Sequence, residues 1–161
     1  MIQVFHAAPP AIQVHALAAL VALCLGPVVL WRPRRDALHM ALGRLWVGVM
    51  ALAAGSSLFI HAELGLGGWG PIHLLSVWLL YGLWEGLREI RQGRIAAHRE
   101  VMRGLYLHGV TLASLLTLLP GRRINQALFG EAELLGLPVI ALGLAALLLD
   151  VLRRRGRPAR A

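Results

Sequence analysis

The chain has 161 residues, 58% of them apolar, and a mean hydropathy of +0.67. Soluble domains are usually about 45–50% apolar, and here the excess lies in long uninterrupted runs, so we expect an integral membrane protein. The net charge of +8 reflects 16 arginines, with no lysine, against eight acidic residues. Because the arginines lie in the segments that flank the apolar runs, the charge is explained by membrane orientation, and we predict no binding to nucleic acid.

In chain order, the apolar runs predict about five transmembrane helices in an all-α membrane bundle. Each run has about 17–22 residues, close to the ~20 that cross a hydrocarbon core of ~30 Å. The predicted spans cover residues 12–31, 40–61, 70–87, 101–119 and 134–152. Small residues at four-residue spacing, Ala51 with Gly55 and Gly82 with Gly86, would let neighbouring helices approach closely.

The arginines divide unequally between the two ends of the predicted helices. Fourteen flank the first turn, the third turn and the C-terminus, whereas Arg122 and Arg123 precede the fifth helix. Because positive residues are retained on the cytoplasmic side, we predict that the N-terminus is outside and the C-terminus is cytoplasmic. The basic tail would then lie near anionic lipid. We expect the location to be the inner membrane of a bacterium.

Four histidines recur as two similar pairs. His15 and His39 are 24 residues apart and His73 and His98 are 25 apart, with offsets of 58 and 59 residues between the pairs. Each pair brackets an apolar run and an arginine-rich turn, which indicates a duplicated antiparallel helical hairpin. The predicted domains are a four-helix membrane core, a fifth transmembrane helix and a basic cytoplasmic tail, at residues 1–130, 131–152 and 153–161.

The position of these histidines near both membrane faces favours ligation of haem. Neutral imidazole binds haem iron well, and one histidine from each of two parallel helices would supply both axial ligands. We therefore predict that His15 and His73 bind a non-covalent haem b near the outer face. His39 and His98 would bind a second near the inner face, so that electrons cross the membrane between the two.

Arginines near the histidines are predicted to pair with the haem propionates. Arg122 and Arg123 belong to the outer level, and Arg44 and Arg103 each follow an inner histidine by five residues. A guanidinium group matches the geometry of a carboxylate and forms two parallel hydrogen bonds with it. These four arginines therefore complete the predicted cofactor-binding set.

Two further histidines are alternative ligands. His61 ends the second apolar run, and His108 would lie ~15 Å deeper than His98 if the fourth helix begins there. Either would replace a predicted haem ligand if the helix register differs. A metal ion bound by His15, His61 and His73 is the alternative to haem at the outer face.

The same residues allow two other interpretations. Interfacial histidines are tolerated because they reach water, so the protein can be a non-catalytic accessory or assembly subunit, bound to another membrane protein or to a second copy. A third interpretation is a small proton-coupled transporter that uses His108, although the spans look continuous. No motif for covalent haem or for a known catalytic site occurs, so no catalytic residue is predicted and enzymatic activity is left open. Glu85 is expected to pair with Arg88 or to reach the interface.

The segment from Arg91 to Gly130 also has family-level features. They are a basic turn, His98-Arg99, Met102, Tyr106 and the turn Pro120-Gly121-Arg122, and upstream His15 and His39 with Gly43-Arg44. On these features the chain resembles a bacterial family of predicted membrane proteins known as domain of unknown function 2306. The resemblance covers about residues 11–130, leaves the fifth run outside, and implies a small polytopic inner-membrane protein. In the placement of histidines alone, the chain is similar to four-helix b-type cytochromes of the b561 kind.

Overall fold

The computed structural model describes residues 9–33, 36–60 and 69–155. Every secondary-structure element within these ranges is a helix. They are α1 (Pro10–Leu30), α2 (Ala37–Ser57), α3 (Pro71–Arg91), α4 (Ile95–Gly104), a π-helix (Leu105–Val110), α5 (Thr111–Leu116), α6 (Arg123–Phe129), a short 3₁₀-helix (Glu133–Leu135) and α7 (Gly136–Arg155). The chain divides into two compact units, Met1–Val110 and Thr111–Ala161. We describe each unit by itself.

Among the described residues, three helical segments are long and apolar enough to cross a membrane. They are Pro10–Leu30, Ala37–Ser57 and Glu133–Arg153, which correspond to the first, second and fifth predicted spans. The prediction of an all-helical protein with membrane-spanning segments is therefore confirmed. The count of five spans stays a prediction, because the third and fourth predicted spans are not among these segments.

The first unit is a ring of four helices in which each neighbour runs antiparallel. Contacts between α1 and α2 pair an early residue of one with a late residue of the other, as in His15 with Ala53. The helices α2 and α3 meet at Ser57 and Ser76, whose hydroxyls are 2.5 Å apart. The helix α4 with the π-helix then packs on both α3 and α1. The centre is filled by large apolar side chains, with Trp46 at 1% exposure.

Glycines set the separation of α3 from α4. A Cβ added to Gly82 would meet the side chain of Leu105, and one added to Gly86 would meet Met102. The close approach predicted for this small-residue pair is therefore confirmed. At Gly55 an added Cβ would have no described atom within 4 Å, so the close approach predicted there is not found among the described residues. Small residues at four-residue spacing bring helices together only where a partner helix faces them.

The turn between α3 and α4 is fixed by an ion pair. The Arg94 guanidinium donates to both oxygens of Glu89 at 2.5 Å, and Glu89 is only 9% exposed. Between them Gly93 has φ of 74°, a left-handed conformation that glycine adopts without steric cost. The predicted arginine-rich turn thus contains at least one arginine with a structural role.

A tyrosine from the π-helix replaces a backbone hydrogen bond that a proline removes from α1. Pro27 has no backbone N–H, so the carbonyl of Leu23, one turn earlier, loses its intrahelical donor. The hydroxyl of Tyr106 donates to that carbonyl at 3.0 Å. A Cβ on Gly26 would collide with the Tyr106 ring, so this glycine is what lets the tyrosine reach the α1 backbone.

We predict that Tyr106→Phe lowers the free energy of unfolding in detergent by about 1–3 kcal/mol, the cost of an unsatisfied buried carbonyl. The cost should shrink in a Pro27→Ala background, where residue 27 regains an N–H for the Leu23 carbonyl. A double-mutant cycle, measured by denaturation, tests this coupling. Equal costs of Tyr106→Phe in both backgrounds would contradict the compensation.

The second unit is organised by a buried asparagine. Asn125 is 0% exposed, and its amide nitrogen donates to the carbonyls of Leu118 at 2.5 Å and Glu133 at 2.9 Å. The carboxylate of Glu133 in turn accepts from the backbone N–H of Gly121 and the amide of Gln126. These bonds hold the segment that precedes α7 in a defined shape.

The helix observed in the region of the fourth predicted span begins earlier than predicted and is interrupted by a π-helix. That span was expected to be continuous over residues 101–119, but helix begins at Ile95 and a π-helix occupies Leu105–Val110. The boundary between the two compact units also falls after Val110 and not at residue 130. The predicted division into a core, a fifth helix and a tail therefore does not coincide with this boundary and stays a prediction.

Candidate functional site

His15 joins two helices at one end of the first unit. It is the sixth residue of α1, and its Nδ1 lies 2.8 Å from the carbonyl oxygen of Ala53 in α2. Only a protonated Nδ1 can donate to a carbonyl, so Nε2 is left with the lone pair of the neutral ring. This tautomer keeps the ligand capacity of the ring, because histidines that bind metals usually donate their other N–H in this way.

His73 uses both of its ring nitrogens on the backbone. Its Nδ1 accepts from the N–H of Gly70 at 3.1 Å, and its Nε2 lies 3.1 Å from the carbonyl of Ile60, to which it donates. The ring is 2% exposed and stacks on Trp69 at a centroid distance of 4.8 Å. His73 is thus the third residue of α3 and caps its start. A ligand at either nitrogen would have to displace a backbone hydrogen bond.

The two predicted outer ligands, His15 and His73, therefore have different hydrogen-bond partners among the described residues. His15 bonds to α2, whereas His73 bonds to the segment that follows α2 and to its own N-cap. His61, the alternative ligand, lies outside the described residues. Within the described residues no group of three or more His, Cys, Asp or Glu side chains is arranged to hold a metal ion.

The inner histidines differ from each other in their bonding. The Nδ1 of His98, in α4, lies 2.7 Å from the carbonyl of Gly86 in α3, which again leaves Nε2 with a lone pair. The backbone N–H of His39 donates to the carboxylate of Asp36 at 3.0 Å, and its ring Nδ1 is buried without a hydrogen-bond partner. An orphaned buried polar atom is unusual in a folded protein.

Arg103 is a residue of α4 whose side chain contacts the C-terminal end of α1. Its Nη2 donates to the carbonyl of Leu30 at 3.4 Å, its guanidinium lies 5.9 Å from the centroid of the Trp31 ring, and its Nε is buried without a partner. A cation is favoured at a helix C-terminus because the last carbonyls carry partial negative charge. Arg44, the second inner arginine of the predicted set, is exposed on α2.

The start of α2 is capped by an ion-paired aspartate. Asp36 accepts from the His39 N–H and from Nη2 of Arg32 at 2.6 Å. The Arg32 hydrogen bond, with the His39 N–H as the second cause, lowers the pKa of the Asp36 carboxyl from 3.8 to about 2. The cap therefore stays ionised throughout the physiological range.

We predict a pH-dependent contribution from this cap. Because the folded pKa of Asp36 is depressed, its stabilisation is present above pH 3.8 and is lost as the pH falls toward about 2. Asp36→Asn should therefore be less stable than the wild type at pH 5, and the difference should shrink as the pH falls through about 2, as measured by melting in detergent. A difference in stability between Asp36→Asn and the wild type that does not change with pH would contradict the proposed role of the Asp36 carboxylate.

His108 lies in the π-helix and lines a cleft between that helix and α3. Its Nδ1 is 3.2 Å from the carbonyl oxygen of Gly104, which lies one turn earlier, at the end of α4. The cleft has a volume of about 190 Å³, and its other walls include Trp78, Tyr81 and Glu85. Single π turns inside α-helices are frequent at functional sites, and this one places His108 in the wall of the cleft.

Glu85 does not form the pair that was predicted for it. Arg88 lies instead over the ring of Trp84, at 5.6 Å from its centroid. The ion pairs among the described residues join Arg32 to Asp36 and Arg94 to Glu89. The Glu85 carboxylate thus has no hydrogen bond or ion pair to a described residue.

Arg122 and Arg123, the predicted outer propionate partners, belong to the second unit. Arg122 is the N-cap residue of α6, Arg123 is its first residue, and both are exposed. Sequence reasoning missed two features of the sites described above. One is the aromatic wall of the cleft, whose signal was the helical spacing of Trp78, Tyr81 and Glu85. The other is Asn125, which no sequence pattern marks.

Comparison with known proteins places the chain in a family. Residues 12–152 match the family described as "Predicted membrane protein (DUF2306)". The chain belongs to this family. The resemblance seen in the sequence is thereby confirmed, and the match extends beyond residue 130 to include the fifth predicted span. No curated protein and no solved structure matches the chain.

Proposed function

We propose that this member of the family is a helical membrane protein without a catalytic site of its own, which serves as an accessory or assembly subunit of a membrane complex. The observation that carries this proposal is the bonding of His73, whose two ring nitrogens both serve the backbone. His15 and His98 also bond to carbonyls of neighbouring helices. Three of the four histidines in the predicted haem pairs thus have ring hydrogen bonds to the backbone, which supports a structural role for them.

The membrane topology is part of the same proposal. We take the chain to cross the bilayer five times, with α3, which has 21 residues, as the third span. The segment from α4 through α5 would be the fourth. Fourteen of the 16 arginines then fall on one side, which supports an outer N-terminus and a cytoplasmic C-terminus in a bacterial inner membrane. The partner would be another membrane protein or a second copy of the chain.

The duplication of a helical hairpin is supported more weakly. Both α1 and α3 begin with a proline, Pro10 and Pro71, at the position where proline is favoured. Counted from these prolines, however, His15 is the sixth residue and His73 the third, so the two are not equivalent. The counterpart of His15 in α3 is Ser76, which also forms an interhelical bond. If the hairpin was duplicated, the helix frame is repeated more faithfully than the histidines.

A second candidate function is haem b binding at the inner end of the first unit, with electron transfer to a partner. Three observations favour it there: the lone pair on Nε2 of His98, the orphaned Nδ1 of His39, and the orphaned Nε of Arg103. One imidazole from each of two helices can supply the axial ligands of a haem, and a guanidinium can pair with a propionate. The outer level lacks this support, because His73 has no free nitrogen.

His73→Ala and His98→Ala separate the two functions. If the histidines are structural, the purified protein has no Soret band and His73→Ala lowers the free energy of unfolding, by about 1–3 kcal/mol for each backbone group left unsatisfied. An optical spectrum, oxidised and then dithionite-reduced, and denaturation in detergent are measured on the same samples. Gly48→Ala is a control, since a Cβ at Gly48 meets nothing within 4 Å.

The contrary result is equally specific. Sharp α and β bands in the reduced wild type, lost in His98→Ala while the stability is kept, would replace the structural function with the haem function. Expression with added haem precursor excludes a shortage of cofactor as the reason for a colourless protein.

A further inference from the structure

We infer that the cleft between α3 and the π-helix binds one phospholipid with an ammonium headgroup, such as phosphatidylethanolamine. The inference goes beyond the proposed function and does not depend on whether haem is bound. It rests on a negative and a positive side chain on one face of α3, both without ion-pair partners, next to an apolar cleft.

The headgroup end is defined by Glu85 and Arg88. They are three residues apart in α3 and so lie on the same face, about 4.5 Å apart along the helix axis. Neither forms an ion pair with a described residue. The guanidinium of Arg88 lies 5.6 Å from the centroid of the Trp84 ring and donates no hydrogen bond to a described side chain, so its N–H groups can bind an anion.

A zwitterionic headgroup matches this pair of charges. In phosphoethanolamine two carbons separate the phosphate from the ammonium, so Arg88 can bind the phosphate while the ethanolamine folds back along the helix and Glu85 binds the ammonium. An anionic phospholipid without an ammonium would satisfy Arg88 alone and would leave Glu85 beside its phosphate.

The cleft itself suits part of an acyl chain. From Glu85 to Trp78 it extends seven residues along α3, which is about 10 Å, and Leu105 adds an apolar wall from the π-helix. Its volume of about 190 Å³ is below the ~300–1,000 Å³ of pockets that enclose a whole drug-sized ligand. The exposed fractions of Trp78 and Tyr81, 46% and 58%, keep one side of the cleft open. These dimensions fit one chain of a lipid and not a haem.

Gly104 offers a way to fill the cleft without disturbing the packing. It lines the cleft, and an added Cβ there would meet no atom within 4 Å. Gly104→Leu should therefore occupy the space of the acyl chain. Gly48→Leu is its matched control, because Gly48 is also helical and equally open, and it does not line the cleft.

The experiment is native mass spectrometry of the full chain, delipidated in detergent and titrated with phosphatidylethanolamine or phosphatidylglycerol of identical acyl chains. The wild type should bind one phosphatidylethanolamine about tenfold more tightly than phosphatidylglycerol, as expected for one extra charge-assisted contact. Glu85→Gln should abolish this preference by weakening phosphatidylethanolamine alone. Arg88→Gln should weaken both lipids. Gly104→Leu should lose both, and Gly48→Leu should bind like the wild type.

Several results would overturn the proposal. They are equal affinity of the wild type for the two lipids, an unchanged preference in Glu85→Gln, and full binding in Gly104→Leu. Circular dichroism and a monodisperse elution profile establish that each variant is folded, and Glu85→Gln tests the site even if Gly104→Leu is unstable.

Discussion

The first unit depends on hydrogen bonds from aromatic and imidazole side chains to backbone carbonyls of neighbouring helices. In a bilayer there is little hydrophobic drive for one helix to pack on another, because lipid is as apolar as the helix surface. A polar side chain that faces lipid must also find a partner within the protein. The indole of Trp46 donates to Ala22 and the hydroxyl of Tyr106 donates to Leu23, both on α1. Such bonds are directional, so they fix the rotation of each helix as well as its neighbours.

These bonds explain why irregular backbone is retained in the helices. Pro27 frees a carbonyl in α1, which in a bilayer would be costly if nothing replaced the lost donor. The freed carbonyl lies where Tyr106 can reach it, and Tyr106 lies in the π-helix. The proline in α1 and the π-helix on its neighbour are therefore joined by one hydrogen bond. A change in either element would be felt by the other.

The sequence predicted the helices well and their contacts poorly. The apolar run over residues 12–31 lies within two residues of the observed α1, because hydropathy and Pro10 both mark the helix. The glycine pair at Gly82 and Gly86 was also recognised, since it depends on local spacing. Packing between elements distant in sequence, such as the hydrogen bond from Tyr106 in the π-helix to Leu23 in α1, could not be foreseen. For the same reason the sequence could place His73 at the start of a helix but could not supply its two backbone partners.

The histidines show why residue type alone does not decide between a ligand and a structural group. A histidine whose Nδ1–H donates to a carbonyl has the tautomer that binds metals through Nε2, and His15 and His98 both have this geometry. What distinguishes them from His73 is the second nitrogen, which in His73 donates to the carbonyl of Ile60. The interhelical bond that orients the ring is thus common to both functions. Only a ring that keeps one nitrogen free of the backbone can combine them, a condition that His15 and His98 meet and His73 does not.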